Sequence, residues 1–177
     1  MATILDRVTL DIEQHAAASG WDQPPRLFAL VETADLVRRE PQLAAQLGVG
    51  TGEPGAPDGP GGLTPVEQDE LPDAATIEEL LGGIAWPAEV LGTALTVERL
   101  MVPPEAERDM PQDEGEALQW LAAHPQRQEV RIVVAVLRDG SRSSALRMRA
   151  HDDETSVLSG PDLVPALADA LAATLGD

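Results

Sequence analysis

The sequence has no cysteine, no tyrosine and no lysine, and it has one phenylalanine among its 177 residues. Without cysteine, the chain cannot form disulfides, thiolate metal sites or a cysteine nucleophile. Because aromatic residues are so few, the core has to be built from leucine, valine, isoleucine and alanine. All twelve basic residues are arginine, a bias typical of a high-GC genome. The length predicts a single domain over residues 1–177.

The charge of the chain is strongly negative and unevenly distributed. Twelve basic and 31 acidic residues give a formal net charge of -19, which argues against nucleic acid or an anionic membrane as a partner. Acidic residues interrupt the N-terminal apolar positions, and no run is long enough to cross a bilayer, so we expect a cytoplasmic protein. Residues 127–149 contain six arginines and two acids. One basic segment therefore lies in an acidic chain.

This basic segment has the pattern of a β-hairpin. An apolar run from Val130 to Leu137 is followed by Arg138-Asp139-Gly140 and a return run, Arg142 to Ala150. A two-residue Asp-Gly turn would place Arg147 and Arg149 opposite the most apolar positions of the first strand, at a cost in desolvation. A three-residue loop with Gly140 left-handed avoids this cost. We therefore predict the three-residue loop.

The predicted register places a mixed set of residues on the second face of the hairpin. In this register five positions of the first strand face five of the second: 129 faces 149, 131 faces 147, 133 faces 145, 135 faces 143 and 137 faces 141. This face is therefore apolar near the turn and charged far from it. We expect another element or a partner to cover part of it.

The remaining pattern predicts an α+β fold. Helical spacing indicates helices over 2–19, 33–39, 42–47, 76–81, 116–124 and from about 163 onward, and apolar or alternating runs indicate strands over 26–31 and 90–101. Residues 48–72 are rich in proline, glycine and acids and predict a mobile loop. We expect one mixed or antiparallel sheet of about four strands, with helices packed mainly on one face.

The arginines of the hairpin are the best candidates for a binding site, because arginine forks on a strand face hold carboxylates, phosphates or acidic peptides. The candidates for binding an unidentified protein or peptide are Arg131, Val133, Arg147 and Arg149, with Trp21 and Trp86 as apolar anchors. The alternative is that Glu129, Glu98 or the acidic loop neutralises these arginines inside the protein.

Other chemistry has weaker signals. His151, Asp152, Asp153 and Glu154 form a dense cluster of metal-ligand types, but consecutive residues cannot all point at one ion. Either a divalent-metal site with His151, Asp152 and Glu154 or a solvated turn is consistent with this cluster. No nucleophile motif and no cofactor motif is present, so no catalytic residue and no cofactor is predicted.

Several stretches resemble a small acidic family of uncharacterised proteins from high-GC actinobacteria. The stretches are Gly20 to Val31, Ile84-Ala85-Trp86-Pro87, Val97 to Leu100, Glu129-Val130-Arg131, Leu137 to Gly140, His151 to Glu154 and Gly160 to Pro165. The resemblance spans nearly the whole chain and implies no catalytic residues. The order of elements and the acidity also resemble the type III secretion chaperone class, a likeness of fold only.

Together these observations predict a non-enzymatic binding, adaptor or chaperone-like protein that uses the basic strand face. The alternative is a divalent-metal-dependent enzyme with a site at His151 to Glu154. A third hypothesis is that the acidic loop mimics nucleic acid.

Overall fold

The computed structural model describes residues 4–47, 62–68, 77–88, 90–151, 157–161 and 163–175. Seven helices and six strands lie in this part of the chain. The helices are α1 Ile4–Ala18, α2 Thr33–Arg39, α3 Pro41–Leu47, α4 Ile77–Gly82, α5 Pro104–Glu107, α6 Glu114–Ala123 and α7 Pro165–Thr174. The strands are β1 Arg26–Glu32, β2 Leu63–Glu67, β3 Gly92–Met101, β4 Gln128–Leu137, β5 Arg142–Met148 and β6 Leu158–Gly160.

The six strands form one antiparallel sheet in the order β2-β1-β3-β4-β5-β6. The α+β class and the antiparallel sheet are confirmed. The hairpin register is also confirmed, because Leu146 faces Ile132 and Met148 faces Val130. Gly140 closes the three-residue loop with a φ of 94°, and its amide donates to the carbonyl of Leu137.

The prediction of about four strands is wrong, because two edge strands carry too little pattern to be recognised. β2 lies within the segment predicted as a loop, and its Pro65 cannot donate a ladder hydrogen bond. A proline is tolerated there because β2 pairs only with β1, at the edge of the sheet. β6 has three residues at the opposite edge. Residues 48–61 and 69–72 of the predicted loop lie outside the described residues.

Helices cover both faces of the sheet, so the prediction of helices mainly on one face is also wrong. The α1 face carries Phe28, Ala94, Val133, Ala135 and Ala145, which pack against the apolar side of α1. The α7 face carries Leu27, Leu95, Ile132, Val134 and Val136, which pack against Leu81 of α4 and Leu167 and Leu171 of α7. The physical reason is in β4, whose nearly continuous apolar run has to be buried on both sides.

The turn of the hairpin is tied to the layer on the α7 face. Arg138 donates hydrogen bonds to the backbone carbonyls of Trp86, Pro87, Val90 and Leu175. These carbonyls belong to the segment before β3 and to the end of α7, so one guanidinium joins three parts of the fold. Among the described helices, none has the length and apolar character needed to cross a membrane.

Candidate functional site

The α1 face changes in character along the strands. Its end far from the hairpin turn is charged, its middle is apolar and packs against α1, and its end near the turn carries serines.

The charged end is a row of three residues across neighbouring strands. Glu98 of β3 faces Arg131 of β4, and Arg131 faces Arg147 of β5. Above this row lies Glu13 of α1, which is only 1% exposed. Its Oε1 accepts hydrogen bonds from Arg147 Nε at 3.1 Å and from Nη2 at 2.7 Å, and its Oε2 lies 3.6 Å from Arg131 Nη1. One buried carboxylate thus pairs with two buried guanidinium groups.

The same row holds the turn between α1 and β1. Arg131 Nη2 donates to the carbonyl of Gly20 at 2.6 Å, and its guanidinium lies 4.4 Å from the ring centre of Trp21. The carboxylate of Glu98 accepts from the amides of Asp22 and Gln23, at 2.9 Å each. Asp22 has a φ of 63°, an unusual value for a residue other than glycine. These contacts stabilise the turn with Asp22 in this left-handed conformation.

Arg149 extends this network to the solvent. It forms ion pairs with Asp22 at 2.9 Å and Glu129 at 2.7 Å, and these hydrogen bonds raise the pKa of Arg149 above its ordinary value. The side chains of all three residues are substantially exposed. The pairs therefore hold the turn in place but contribute little to stability.

Three of the predicted binding residues lie beneath α1 and not on an exposed face. Val133, Arg131 and Arg147 have exposures of 0%, 2% and 4% because α1 lies over them. Trp21 is half-buried beside Arg131. Trp86 is half-buried against the core of the α7 face, and its Nε1 donates to Thr174 Oγ1 at 3.0 Å. The buried arginines are paired with an acid inside the protein, as the alternative hypothesis proposed. The acid is Glu13, which was not predicted from the sequence.

The serine end of the α1 face borders a groove of about 870 Å³. It lies between the first turns of α1, the end of β4, the start of β5, and β6. Its apolar walls are Ile4, Leu5, Leu10, Leu63 and Leu137. Its polar lining includes Asp6, Ser143 and Ser159.

The register shows where the two serine hydroxyls point. Ser143 faces Ala135, and Ser159 faces Ala145, and both alanines belong to the core beneath α1. Residues directly opposite in an antiparallel ladder project from the same face. Ser143 and Ser159 therefore project toward α1 and the groove, with Ser143 only 2% exposed and Ser159 open to solvent.

The family of the chain follows from its match to a family model. The model of the PPA1309-like proteins matches residues 5–176. The chain belongs to the PPA1309-like family. No curated protein and no solved structure was found to match it, and nothing in these comparisons supports the likeness to type III secretion chaperones.

Most of the predicted metal cluster of this PPA1309-like protein lies outside the described residues. Asp152, Asp153 and Glu154 are among those not described, and only the backbone of His151 is described, in the short 3-10 helix Arg149–His151. Within the described ranges, no three His, Asp or Glu side chains converge as a metal site would require. The metal site stays a prediction.

One feature of the PPA1309-like site, the buried acid Glu13, had a signal in the sequence. Glu13 interrupts the apolar stripe of α1 that contains Leu5, Val8, Ile12 and Ala16, and a carboxylate in such a stripe indicates a buried cationic partner. The groove had no comparable signal, because its walls come from α1 and from four different strands. Only the folded arrangement brings them together.

Proposed function

We propose that this PPA1309-like protein is a non-enzymatic binding protein and that its ligand site is the groove at the serine end of the α1 face. The observation that supports this proposal is the lining: apolar side chains with a few hydroxyl groups, around a volume of about 870 Å³. Small-molecule sites have this composition, and their volumes are about 300–1,000 Å³. The described lining residues offer contacts that hold a ligand, and among them there is no histidine or metal ligand set that would transform it.

The charged end of the α1 face is less suited to binding in the described state. Its two buried arginines already pair with Glu13, and α1 covers them. An adaptor or chaperone-like function that uses this basic face for a protein or peptide partner requires α1 to leave the sheet. A metal-dependent enzyme at His151 to Glu154 and a cytoplasmic location remain predictions of the sequence alone.

The proposal is tested by titrating the protein with Nile red, an uncharged dye whose fluorescence rises in apolar sites. Ser159→Trp places a large side chain in the groove from an exposed position and should weaken dye binding by about tenfold or more. The matched control is Ser19→Trp, at an exposed position near the opposite end of α1. Wild type and Ser19→Trp should bind the dye with the same affinity.

Two results would overturn the proposal. One is that wild type shows no saturable dye binding. The other is that Ser159→Trp, with an unchanged far-ultraviolet circular dichroism spectrum, binds the dye as well as wild type does.

A further inference from the structure

We infer that the groove selects an uncharged aliphatic molecule with a hydroxyl or ester end and discriminates against carboxylates. This inference rests on the proposed function and specifies the chemistry of its ligand. It follows from the walls, from the ionisable groups and from the position of the two serines.

The walls favour an aliphatic chain. Ile4, Leu5, Leu10, Leu63 and Leu137 are branched aliphatic residues, and no aromatic side chain is among the described residues that line the groove. A flat ring would find no partner on which to stack, whereas a flexible chain can fit between branched side chains. Burial of the chain supplies the favourable free energy.

The ionisable groups disfavour an anionic head. Asp6 and Arg142 are the two ionisable residues of the described lining. Arg142 faces Val136, which belongs to the core of the α7 face, and its Nη2 pairs with Asp169 of α7 at 2.6 Å. Its guanidinium is therefore directed to the opposite side of the sheet. A carboxylate in the groove would meet Asp6 in a chain of net charge -19, and the described lining directs no cation toward it to offset its desolvation.

A cationic head is also less favoured than a neutral one. Asp6 lies in the first turn of α1, where the helix dipole stabilises its negative charge without a ligand. Ser143 and Ser159 provide hydroxyls that both donate and accept hydrogen bonds. Such groups match an alcohol or an ester oxygen, which needs no counter-ion.

The test is displacement of Nile red by three ten-carbon chains that differ only in the head: 1-decanol, decanoate and decylammonium. Each is added at pH 7, below the concentration at which it aggregates. We expect 1-decanol to displace the dye at least tenfold more effectively than decanoate and more effectively than decylammonium. Equal or better displacement by decanoate, or by decylammonium, overturns the inference.

A second measurement assigns the selectivity to the serines. Ser143→Ala combined with Ser159→Ala should weaken 1-decanol binding about threefold to tenfold, the value of one hydrogen bond, and leave Nile red binding unchanged. Unchanged 1-decanol binding in this variant overturns the role of the hydroxyls. The two proposals fail differently. If wild type does not bind the dye, the groove is not a binding site. If wild type binds the dye but prefers a charged head group, the groove is still a site and only the proposed ligand class is wrong.

Discussion

Arg131 and Arg147 lie directly opposite each other in the β4–β5 ladder, and both guanidinium groups pair with the carboxylate of Glu13 on α1. Like charges opposite each other destabilise a ladder, and burial adds a desolvation cost for each charge. One carboxylate from a helix offsets both effects. This arrangement makes the position of α1 on the sheet depend on charge as well as on apolar contact.

Loss of the Glu13 charge should destabilise the protein strongly. Glu13→Gln removes the carboxylate that pairs with two buried guanidinium groups, and we expect the free energy of unfolding to fall by about 3–5 kcal/mol. Urea unfolding followed by circular dichroism measures the change. Glu129→Gln is the control, because Glu129 pairs with Arg149 at the surface and its loss should cost less than about 1 kcal/mol. Similar losses in the two variants would contradict a buried charge network.

Removal of the whole buried cluster should cost less than removal of its acid alone. In a triple variant with Glu13→Leu, Arg131→Met and Arg147→Met, the acid and its two buried cationic partners are removed together, and the apolar stems still fill the space. We expect its free energy of unfolding to exceed that of Glu13→Gln by at least about 2 kcal/mol, since Glu13→Gln keeps both buried guanidinium groups after the carboxylate they share is lost. A triple variant less stable than Glu13→Gln would show that the ion pairs themselves stabilise the fold.

Arg138 should matter for stability although it lies in an exposed turn. Its planar guanidinium reaches four backbone carbonyls, and a lysine ammonium has neither the reach nor the geometry to replace it. We expect Arg138→Lys to lower the free energy of unfolding by about 1–2 kcal/mol. Arg127→Lys is the control, because Arg127 Nη1 donates to the carbonyl of His124 at an exposed site. Equal effects in urea unfolding would show that the Arg138 contacts contribute nothing.

Gly92 should not accept a side chain. A Cβ at this position would overlap the carbonyl oxygen of Val136 and the side chain of Leu137, both on the neighbouring strand. We expect Gly92→Ala to destabilise the protein by about 1–3 kcal/mol, because the ladder has to shift to make room. Gly82→Ala, where no atom lies within 4 Å of the added Cβ, should be close to neutral. A thermal melt of each variant distinguishes the two cases.

The turn aspartate should titrate below its ordinary range. Hydrogen bonds from the hydroxyl and the amide of Ser141 stabilise the Asp139 carboxylate and hold the pKa of Asp139 below 3.8. Because the folded pKa is depressed, the stabilisation is present above pH 3.8 and is lost as the pH falls through the folded pKa. A carbon-detected NMR titration measures the folded value. Ser141→Ala should raise it toward 3.8, and an unchanged value would exclude the hydroxyl as a cause.

The hairpin and the main helices could be predicted from the sequence because their signals are local. The apolar run of β4 and the cost of placing Arg147 and Arg149 opposite its most apolar positions were sufficient to choose the three-residue loop, and the register agrees. The edge strands β2 and β6 could not be predicted in the same way. A short strand that contains Pro65, or that has three residues, forms because a neighbouring strand offers free backbone groups.

The candidate site also has features that could be predicted from the sequence and features that could not. The residues that share the α1 face, with the charged ones far from the hairpin turn, could be predicted from the sequence because register follows from the period-two pattern and the loop length. Which element covers that face could be learned only from the folded structure. Glu13 and Arg147 are 134 residues apart, so their pairing depends on how α1 crosses the sheet. The groove likewise exists only where the first turns of α1 meet the serine end of the strands, since long-range packing rather than local pattern creates a cavity.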